Sequence, residues 1–411
     1  MENKKSYIQG ALSGAAVMLL ISSVVFAVSF KHINSPSTAV KDNSDAKYKD
    51  IEEILDDDSV SDKLKVIGEL LDVYYYDDID TEQVEQYLYK GLVAGVGDPY
   101  SAYYTAEETQ KLNESITGVY SGVGITMSLD SDVGYVKVIK VNKNSPAADA
   151  GVMPGDYIYE VNGENIGGMD VSDVANLVRG EEGTTVDIKF LRGTEYVDYT
   201  LERKSIEEET VEWQMLEKNT GYIILSKFDV VTTDSFKEAM GDLKNQGMER
   251  LIVDLRDNPG GSVDTANEIG EYLIPKGILT YLQDKAGNRK DYNCSGDSTW
   301  DGPLVLLVNE NSASASEIIA GAVKDYGTGK LVGTKTFGKG IVQTTTTLTD
   351  GSSVKYTFAK YYTPNGDNIH GKGIEPDVEV ELDSINSEQG YSIETDNQLK
   401  KAMEVLDEQA K

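Results

Sequence analysis

The spacing of hydrophobic residues divides the chain into four stretches. Residues 8–30 contain no charged side chain and would span about 34 Å as a helix, which is enough to cross a bilayer. Residues 48–114 carry apolar side chains at intervals of three and four, and this periodicity predicts amphipathic helices. Short alternating runs between glycine turns predict strands across residues 115–203. Residues 204–382 alternate apolar runs with helical segments, which predicts buried strands connected by helices.

The first stretch determines where the rest of the chain is expected to lie. Lys4 and Lys5 precede the apolar run, which favours a cytoplasmic N-terminus and export of the residues after the run. We therefore expect residues 1–31 to anchor the protein in the cell membrane as a single pass, with the bulk of the chain extracytoplasmic. Small residues at 27–29 leave open a signal peptide, whose cleavage would release a secreted protein. Residues 32–47 lack periodicity and are expected to form a flexible tether.

Composition narrows the classes of function. Asp and Glu outnumber Lys and Arg to give a net charge of −32, which disfavours a nucleic-acid partner because the phosphate backbone would be repelled. Cys294 is the only cysteine in the sequence, so neither an intrachain disulfide nor a cysteine and histidine metal cluster can be assembled. The sequence has only two histidines, His32 and His370, and His32 adjoins the apolar run. A Ser-His-Asp triad would therefore depend on His370 alone.

Three motifs within residues 115–203 have the spacing of a PDZ domain of the bacterial kind. A glycine-containing loop resembles the carboxylate-binding loop of that domain: Gly122, Val123, Gly124 and Ile125. A Ser-Pro-Ala-Ala segment at residues 145–148 and a Pro-Gly-Asp turn at residues 154–156 occur at the expected distances. In such a domain the loop offers consecutive backbone N–H groups to a peptide carboxylate, while the neighbouring strand edge pairs with the peptide.

Two segments of the last stretch carry residues suited to nucleophilic chemistry. An apolar strand leads into the Ser-Ala-Ser-Ala-Ser-Glu segment of residues 312–317, which would deliver Ser314 to the start of a helix. Lys339 lies further along the chain in a Gly-Lys-Gly loop. A serine hydroxyl becomes nucleophilic when a base takes its proton, and a buried lysine can be that base because desolvation disfavours the ammonium. Gln343 lies in the β-branched segment that comes next, and its amide would orient the lysine amine without adding charge.

The same strand-turn-helix arrangement would stabilise a developing negative charge. The start of a helix offers unpaired backbone N–H groups, and we expect that of Ala315, the residue after the nucleophile, to be one oxyanion donor. A second donor would come from the Asn-Pro-Gly-Gly segment at the end of another strand, where glycine permits close approach. The sequence does not choose between Gly260 and Gly261.

The residues alone allow two other interpretations of these segments. Ser312, Ser314 and Ser316 could be helix caps among small packing residues. Residues 333–340 have the glycine and lysine spacing of a phosphate-binding loop, but Gly340 replaces the metal-binding Ser or Thr. The next residues also favour a strand, whereas a phosphate-binding loop opens into a helix.

Taken together, the motifs resemble the carboxyl-terminal processing peptidases, also called tail-specific proteases, over nearly all of residues 48–382. Residues 254–261 are similar to the oxyanion segment of that family, and a later Tyr-Tyr-Thr-Pro-Asn-Gly segment matches another of its signatures. The resemblance implies that Ser314 is the nucleophile, Lys339 the base and Gln343 a supporting residue. It also implies a core similar to the crotonase or Clp-protease fold.

The resemblance has three further implications. The PDZ domain would gate the active site, and Arg179, at the end of its helix, would signal peptide occupancy; from the residues alone Arg179 is a solvated helix-end cation. The helical region of residues 48–114 would mediate the formation of a homodimer. Asp257 stands where related sequences often have an uncharged residue, which alters the charge near the oxyanion donors.

The sequence therefore predicts a multidomain protein of the α+β or α/β class. It would comprise a membrane helix, a helical region, a PDZ domain, a peptidase core and, at residues 383–411, a tail with a closing helix. We expect a Ser-Lys endopeptidase that binds exposed C-terminal tails of proteins and needs no metal or cofactor. A catalytically inactive PDZ scaffold is the alternative in the binding class. Acyl-thioester chemistry is a second enzymatic alternative, although no basic patch for such a cofactor is evident.

Overall fold

The computed structural model of the protein describes residues 51–383 and 393–409. The expected membrane segment, residues 8–30, and the tether at residues 32–47 lie outside the described residues. Within the described ranges no helix combines the length and the apolar character needed to cross a bilayer.

Two helices form the described part of the first compact unit, Met1–Asp80. Helix α1 covers Ile51–Leu55 and helix α2 covers Asp58–Tyr74. The Asp57 carboxylate accepts a hydrogen bond of 2.9 Å from the backbone N–H of Ser59 and so caps the start of α2. Neither helix has a buried residue, so the apolar side chains predicted from their spacing remain open to solvent.

The second compact unit, Thr81–Lys411, begins with a helix, a short strand and a second helix. These elements are α3 (Thr81–Ala94), β1 (Ala102–Tyr104) and α4 (Ala106–Thr117). The capping box predicted for α4 is confirmed, because the Thr105 hydroxyl accepts from the Glu108 N–H while the Glu108 carboxylate accepts from the Thr105 N–H.

Six short strands of the PDZ region form one antiparallel sheet in the order β3-β4-β5-β7-β8, with β6 paired to β5. The strands are β3 (Ile125–Asp130), β4 (Tyr135–Val141), β5 (Tyr157–Val161), β6 (Glu164–Asn165), β7 (Thr185–Arg192) and β8 (Glu195–Glu202). Helices α5 (Pro146–Ala150) and α6 (Val171–Val178) pack against their buried side chains. Strands β2 (Val119–Gly122) and β9 (Lys204–Glu207) precede and follow this sheet in the chain and pair with each other as a two-stranded ribbon. Strand β3 lies at the edge of the sheet and, among the described strands, pairs only with β4.

The core of the second unit is a six-stranded sheet in the order β10-β11-β12-β15-β16-β19. Its strands are β10 (Val211–Leu216), β11 (Thr220–Leu225), β12 (Arg250–Asp254), β15 (Leu304–Val308), β16 (Lys330–Gly333) and β19 (Val378–Glu379). Strand β10 is antiparallel to β11, and the remaining neighbours are parallel. Parallel strands need crossover connections, so the helices expected between apolar runs lie on the faces of this sheet.

Alternation of side chains along the buried strands divides the helices between the two faces. In β12, Leu251 and Val253 face the cluster formed with helices α7 (Thr232–Asn245), α8 (Val263–Leu273) and α9 (Ala315–Tyr326). Ile252, between them, faces helix α10 (Asn397–Gln409) on the opposite side. The closing helix predicted at the C-terminal end is therefore confirmed, and it covers the face that the other three helices leave free.

A second sheet, which is antiparallel, lies beside the core and contains β1. It has the order β1-β18-β13-β14, with β17 paired to β18, and its remaining strands are β13 (Gly277–Asp284), β14 (Arg289–Cys294), β17 (Ile341–Thr347) and β18 (Ser353–Tyr362). The loop that carries Lys339 leaves the core sheet at β16 and enters the antiparallel sheet at β17. Because this loop continues into a strand, the phosphate-binding alternative, which requires a helix there, is wrong.

Candidate active site

Ser314 lies on a strained turn between strand β15 and helix α9. Its backbone dihedrals are φ 54° and ψ −113°, which a residue with a side chain adopts only where its surroundings hold it. Tyr361 supports the turn, because its hydroxyl donates a hydrogen bond of 3.2 Å to the Ser314 carbonyl oxygen. Burial raises the pKa of Tyr361 well above its ordinary value, so the hydroxyl stays protonated and remains a donor. Helix α9 begins at the next residue, Ala315.

The three serines of this turn have different surroundings. Ser312 is fully buried, and its hydroxyl donates to the Leu255 carbonyl oxygen at 2.7 Å. Ser316 is also fully buried and donates to the Asn258 carbonyl oxygen at 3.0 Å. Only Ser314, among the three, is partly exposed. Ser312 and Ser316 therefore fasten the turn to the loop after β12, and Ser314 is the serine that a substrate could reach.

Glu317, in the first turn of α9, joins the Ser314 turn to the Lys339 loop. Its side chain is completely buried, and one carboxylate oxygen accepts from the N–H groups of Ser314 at 2.9 Å and Lys339 at 2.8 Å. The other oxygen accepts from the Gly338 N–H at 2.7 Å and the Thr336 hydroxyl at 2.6 Å. A buried carboxylate needs such donors to replace its water, and here they all come from the two segments predicted to carry chemistry.

Sequence reasoning did not assign a role to Glu317. The available signal was its position, because a glutamate three residues after a serine at a helix start is the pattern of a capping box. That pattern accounts for the bond to the Ser314 N–H. It gives no indication of the bonds to the lysine loop, which is distant in sequence and reaches Glu317 only in the folded chain.

The side chain of Lys339 is half-buried and rests on an aromatic ring. Its Nζ lies 5.0 Å from the centroid of the Tyr100 ring, and within the described residues the amine makes no hydrogen bond to Ser314. Desolvation lowers the pKa of Lys339, the cation of Lys355 lowers it further, and the carboxylates of Asp98 and Glu317 act in the opposite direction. The direction of this pKa shift is the one that a lysine base requires.

Gln343 lies in strand β17 as the sequence predicts, but its amide has a different partner from the expected one. Its Nε2 donates to the Thr357 hydroxyl at 3.1 Å, across the pairing of β17 with β18. The Thr357 N–H in turn donates to the Ser101 hydroxyl at 3.3 Å. In this arrangement Gln343 belongs to a polar chain beneath the segment that bears Tyr100, rather than to the lysine amine.

The two glycines proposed as oxyanion donors differ in what they face. A Cβ on Gly260 would lie 2.8 Å from the Ala315 nitrogen and 2.8 Å from the Ser314 Cβ, so only glycine fits against the turn that carries Ser314. A Cβ on Gly261 would instead collide with the Phe228 carbonyl oxygen at 2.4 Å. The Gly260 N–H donates to the Asn258 side-chain oxygen at 2.8 Å.

Asp257, the unusual acid of this segment, is exposed and has φ 58°. One of its carboxylate oxygens accepts from the side-chain amides of Asn309 at 2.9 Å and Asn311 at 2.8 Å. The Asp257 carboxylate, which the sequence placed near the expected oxyanion donors, is therefore hydrogen bonded to the turn that precedes Ser314.

The predicted peptide-binding loop lines a narrow groove between β3 and α6. Gly122, Val123, Gly124 and Ile125 form one wall. Arg179, at the other wall, lies 4.9 Å from the Tyr120 ring centroid and pairs with Glu114 of α4 at 3.6 Å. The groove encloses about 50 Å³, whereas ligand pockets usually enclose roughly 300–1,000 Å³. The groove is therefore narrow, and the Arg179 side chain lines the wall opposite the loop.

Comparison with known proteins gives relatives in sequence and in fold. The model of peptidase family S41 matches residues 219–380, and a PDZ domain model matches residues 137–192. A Staphylococcus aureus (strain MSSA476) protein described as a probable CtpA-like serine protease is 36% identical over 372 residues, which cover 90% of this chain and 72% of that protein.

Two solved structures are also similar. The crystal structure of a Bacteroides fragilis NCTC 9343 protein assigned to the S41 proteases has a TM-score of 0.52 at 20% identity and covers 81% of this chain and 92% of that one, a likeness of fold alone. The photosystem II D1 C-terminal processing protease is 30% identical with a TM-score of 0.47 and covers 77% of this chain and 86% of that one.

Proposed function

The chain belongs to the CtpA-like serine proteases of peptidase family S41, and on this basis we propose that it cleaves peptide bonds through a dyad of Ser314 and Lys339. Membership makes it a serine-type peptidase with a PDZ domain. The observation that carries the dyad is the shared carboxylate of Glu317, which binds the backbone N–H groups of Ser314 and Lys339 through one oxygen. One buried side chain thus brings the nucleophile's turn and the base's loop together.

In the proposed reaction the neutral Lys339 amine takes the proton of the Ser314 hydroxyl as its oxygen attacks the substrate carbonyl carbon. Backbone N–H groups of Ala315 and Gly260 stabilise the tetrahedral oxyanion. The intermediate collapses to an acyl-enzyme on Ser314 while Lys339 gives the proton to the departing amine. A water molecule, deprotonated by Lys339, then attacks the ester, and Lys339 returns that proton to the Ser314 oxygen as the new C-terminus is released.

We interpret the described arrangement as a resting state of this site. The Lys339 amine rests on the Tyr100 ring, and the Gly260 N–H is occupied by Asn258. Gly260 is the better candidate for the second donor because it, rather than Gly261, faces Ser314 and Ala315. In the proposed activation the amine turns from Tyr100 toward Ser314, with Gln343 as its supporting residue, and the Gly260 N–H turns to the substrate.

A direct test of the dyad uses Ser314→Ala and Lys339→Ala in a peptide-cleavage assay. Each should reduce turnover by about 10³-fold or more, because neither the nucleophile nor the base can be replaced by water. Lys335→Ala is the matched control, since Lys335 lies in the same loop but is exposed and paired with Glu375. Full activity of either dyad variant would defeat the proposal, whereas tail binding without turnover by the unmodified protein would support the inactive scaffold.

Recognition of C-terminal tails is the second part of the proposal. The free edge of β3 can accept a peptide as an added strand, and the loop from Gly122 to Ile125 can offer its N–H groups to the terminal carboxylate. The measurement is the cleavage rate of one substrate with a free and with an amidated C-terminus. A free tail should be cut faster, and equal rates would remove tail recognition while leaving peptide hydrolysis intact.

We also propose an extracytoplasmic, membrane-anchored homodimer. The anchor would be residues 8–30, and cleavage after them would give a secreted form. The helix α2 exposes several large apolar side chains that a second copy could cover: Leu64, Ile67, Leu70 and Leu71. Light scattering on the full chain and on a variant with both Leu64 and Leu71 changed to Glu would test the dimer, and a monomeric unmodified protein would contradict it.

A further inference from the structure

A buried network joins the end of strand β12 to the C-terminal helix. The Arg256 guanidinium is completely buried and donates to Asp254 of its own strand end through Nε at 2.9 Å. It also donates through Nη2 to Asp396 at 2.8 Å and through Nη1 to Gln398 at 2.9 Å. Burial alone would lower the pKa of Arg256, but its bonds to Asp254 and Asp396 outweigh burial and raise it, so the cation is permanent.

The partners of Arg256 are themselves fixed by helix α10. The second oxygen of Asp396 accepts from the Leu399 N–H at 2.9 Å and caps the helix. The Gln398 amide donates to the Val380 carbonyl oxygen at 2.6 Å, at the end of the core sheet. Leu399 and Leu406 then pack into the cluster on the face of the sheet opposite Ser314's helix. The network is thus held at its far end by a helix that makes no contribution to the catalytic groups.

The near end of the network is the loop that carries the proposed oxyanion donor. Asn258 comes two residues after Arg256, and its side chain bonds to the Leu225 carbonyl oxygen at 2.8 Å and to the Gly260 N–H at 2.8 Å. The Asn258 carbonyl oxygen accepts from the Ala313 N–H at 3.0 Å, immediately before Ser314. The chain from Arg256 to Asn258 and these buried bonds therefore connect Arg256 to Gly260 and to the turn that carries Ser314.

We propose that helix α10 positions the oxyanion loop by binding the Arg256 guanidinium through Asp396 and Gln398. We call these two contacts the clasp. The inference rests on the proposed Ser314 site and adds to it that residues at the N-terminal end of helix α10 hold the proposed oxyanion loop in place. Asp396 is a positioning residue, since it touches Arg256 and not the substrate. Buried ion pairs often contribute little net stability against apolar substitutes, so a role in placing the loop explains this network better than stabilisation does.

The test compares two asparagine substitutions at the same helix. Asp396→Asn weakens the clasp, whereas Asp407→Asn removes the ion pairs to Arg250 at 2.7 Å and Lys218 at 2.6 Å, which hold the helix without touching the oxyanion loop. The readouts are the melting temperature, kcat and KM for a fluorogenic peptide, and the rate at which a fluorophosphonate labels the full chain.

For Asp396→Asn we expect kcat and the labelling rate to fall by about 10- to 100-fold with KM within about twofold, because a loop displaced by about an ångström loses oxyanion stabilisation. Asp407→Asn should lower the melting temperature while changing kcat by less than about twofold. Equal kcat values for the two variants, or a change confined to KM, would overturn the proposal.

If Asp396→Asn does not fold, Gln398→Met decides the question, because it leaves the Arg256 ion pairs in place and removes only the hydrogen bonds of Gln398 to Arg256 and to Val380. A fall in kcat of about threefold or more is expected, and an unchanged kcat would overturn the clasp. Ser314→Ala separates this inference from the proposed function. Turnover by Ser314→Ala would end the proposed dyad, whereas a fully active Asp396→Asn beside an inactive Ser314→Ala would end only the clasp.

Discussion

Two buried carboxylates beside the proposed active site, Glu317 and Asp229, have opposite surroundings. Glu317 accepts four hydrogen bonds, three from backbone N–H groups and one from the Thr336 hydroxyl. Asp229 is 4% exposed, yet its Oδ2 has no hydrogen-bond partner among the described residues. A buried charge stabilises a structure only where hydrogen-bond donors replace its water. The Glu317 carboxylate therefore stabilises its surroundings, whereas burial of the Asp229 carboxylate costs free energy.

The two carboxylates also lie at different places relative to the proposed active site. Glu317 joins the turn of Ser314 to the loop of Lys339, which must keep their relative place. Asp229 is next to Phe228, which forms a bridge with Gly261, and a Cβ on Gly118 at the entry to the PDZ ribbon would lie 3.3 Å from the unpartnered oxygen. The carboxylate oxygen that lacks a partner therefore lies near both Gly118, which precedes strand β2, and the segment that contains Gly261.

Among the substitutions that probe this comparison, removing the charge of Glu317 should have the largest effect. Glu317→Gln keeps the shape of the side chain but places an amide NH₂ against N–H donors on one side. We expect kcat to fall by about 100-fold and the free energy of unfolding to fall by about 3 kcal/mol, because buried donors lose their acceptor. Peptide turnover and urea unfolding measure the two quantities.

Glu310→Gln is the matched control for Glu317. Glu310 lies on the same turn and also reaches the lysine loop, where it accepts from the Thr334 hydroxyl at 3.0 Å, but it is exposed. Its substitution should change kcat by less than about twofold and stability by less than about 1 kcal/mol. Equal changes in kcat and in stability for the two glutamate variants would show that neither burial nor the bonds to the backbone N–H groups explain the effect of Glu317.

Asp229→Asn should stabilise the protein in a way that depends on pH. Burial raises the pKa of Asp229 from its ordinary value of 3.8 to about 6, Lys227 opposes the shift and Glu208 adds to it. A raised carboxyl pKa means that the folded protein loses stability as pH rises from about 4 to above 6. Asparagine, which is never charged, should therefore add about 2 kcal/mol at pH 7.5 and close to nothing at pH 4. Urea unfolding at both pH values would show it, and an equal change at both would contradict the cause given.

Local patterns in the sequence were sufficient to predict several elements of the second compact unit. The capping box at Thr105, the strand that begins at Ile341 and the helix that begins after Ser314 can be derived from residues close together in the chain. Such features depend on neighbours in sequence, and for that reason they can be predicted. The sequence left the choice between Gly260 and Gly261 open, and the structure shows which atoms a side chain at each position would meet.

Contacts between distant segments could not be predicted in this way. Nothing near Lys339 indicates that its amine rests on Tyr100, because strand pairing of β1 with β18 brings that tyrosine to the site. Nothing near Arg256 indicates that its partners lie in the last helix, since Asp396 looks in sequence like an ordinary helix cap. The periodicity that predicts each element carries no information about which elements meet.

Lys355→Met should change the pH dependence of kcat/KM without lowering the stability of the region around Glu317. The Lys355 cation lowers the pKa of Lys339, and its removal should raise that pKa, so the acid limb of the kcat/KM profile should move to higher pH. Activity well above the limb should be unchanged. Lys360→Met, at an exposed lysine of the same strand, is the control and should leave the profile in place. A loss of activity that is uniform across pH would mean that Lys355 acts on the fold rather than on the base.

The smallest expected effect is an increase in activity from Tyr100→Leu. The contact of the Lys339 amine with the ring, at 5.0 Å, favours the charged amine in its resting position, and such contacts contribute roughly 0.5–1 kcal/mol. Its loss should raise kcat/KM at neutral pH by about two- to fivefold, because a neutral amine is free to turn toward Ser314 more often. Tyr104→Leu, which removes the similar contact of Lys355 at 5.3 Å, is the control and should not activate. A fall in activity for Tyr100→Leu alone would show instead that the ring guides the amine toward the hydroxyl, and the resting-state interpretation of the site would then be wrong.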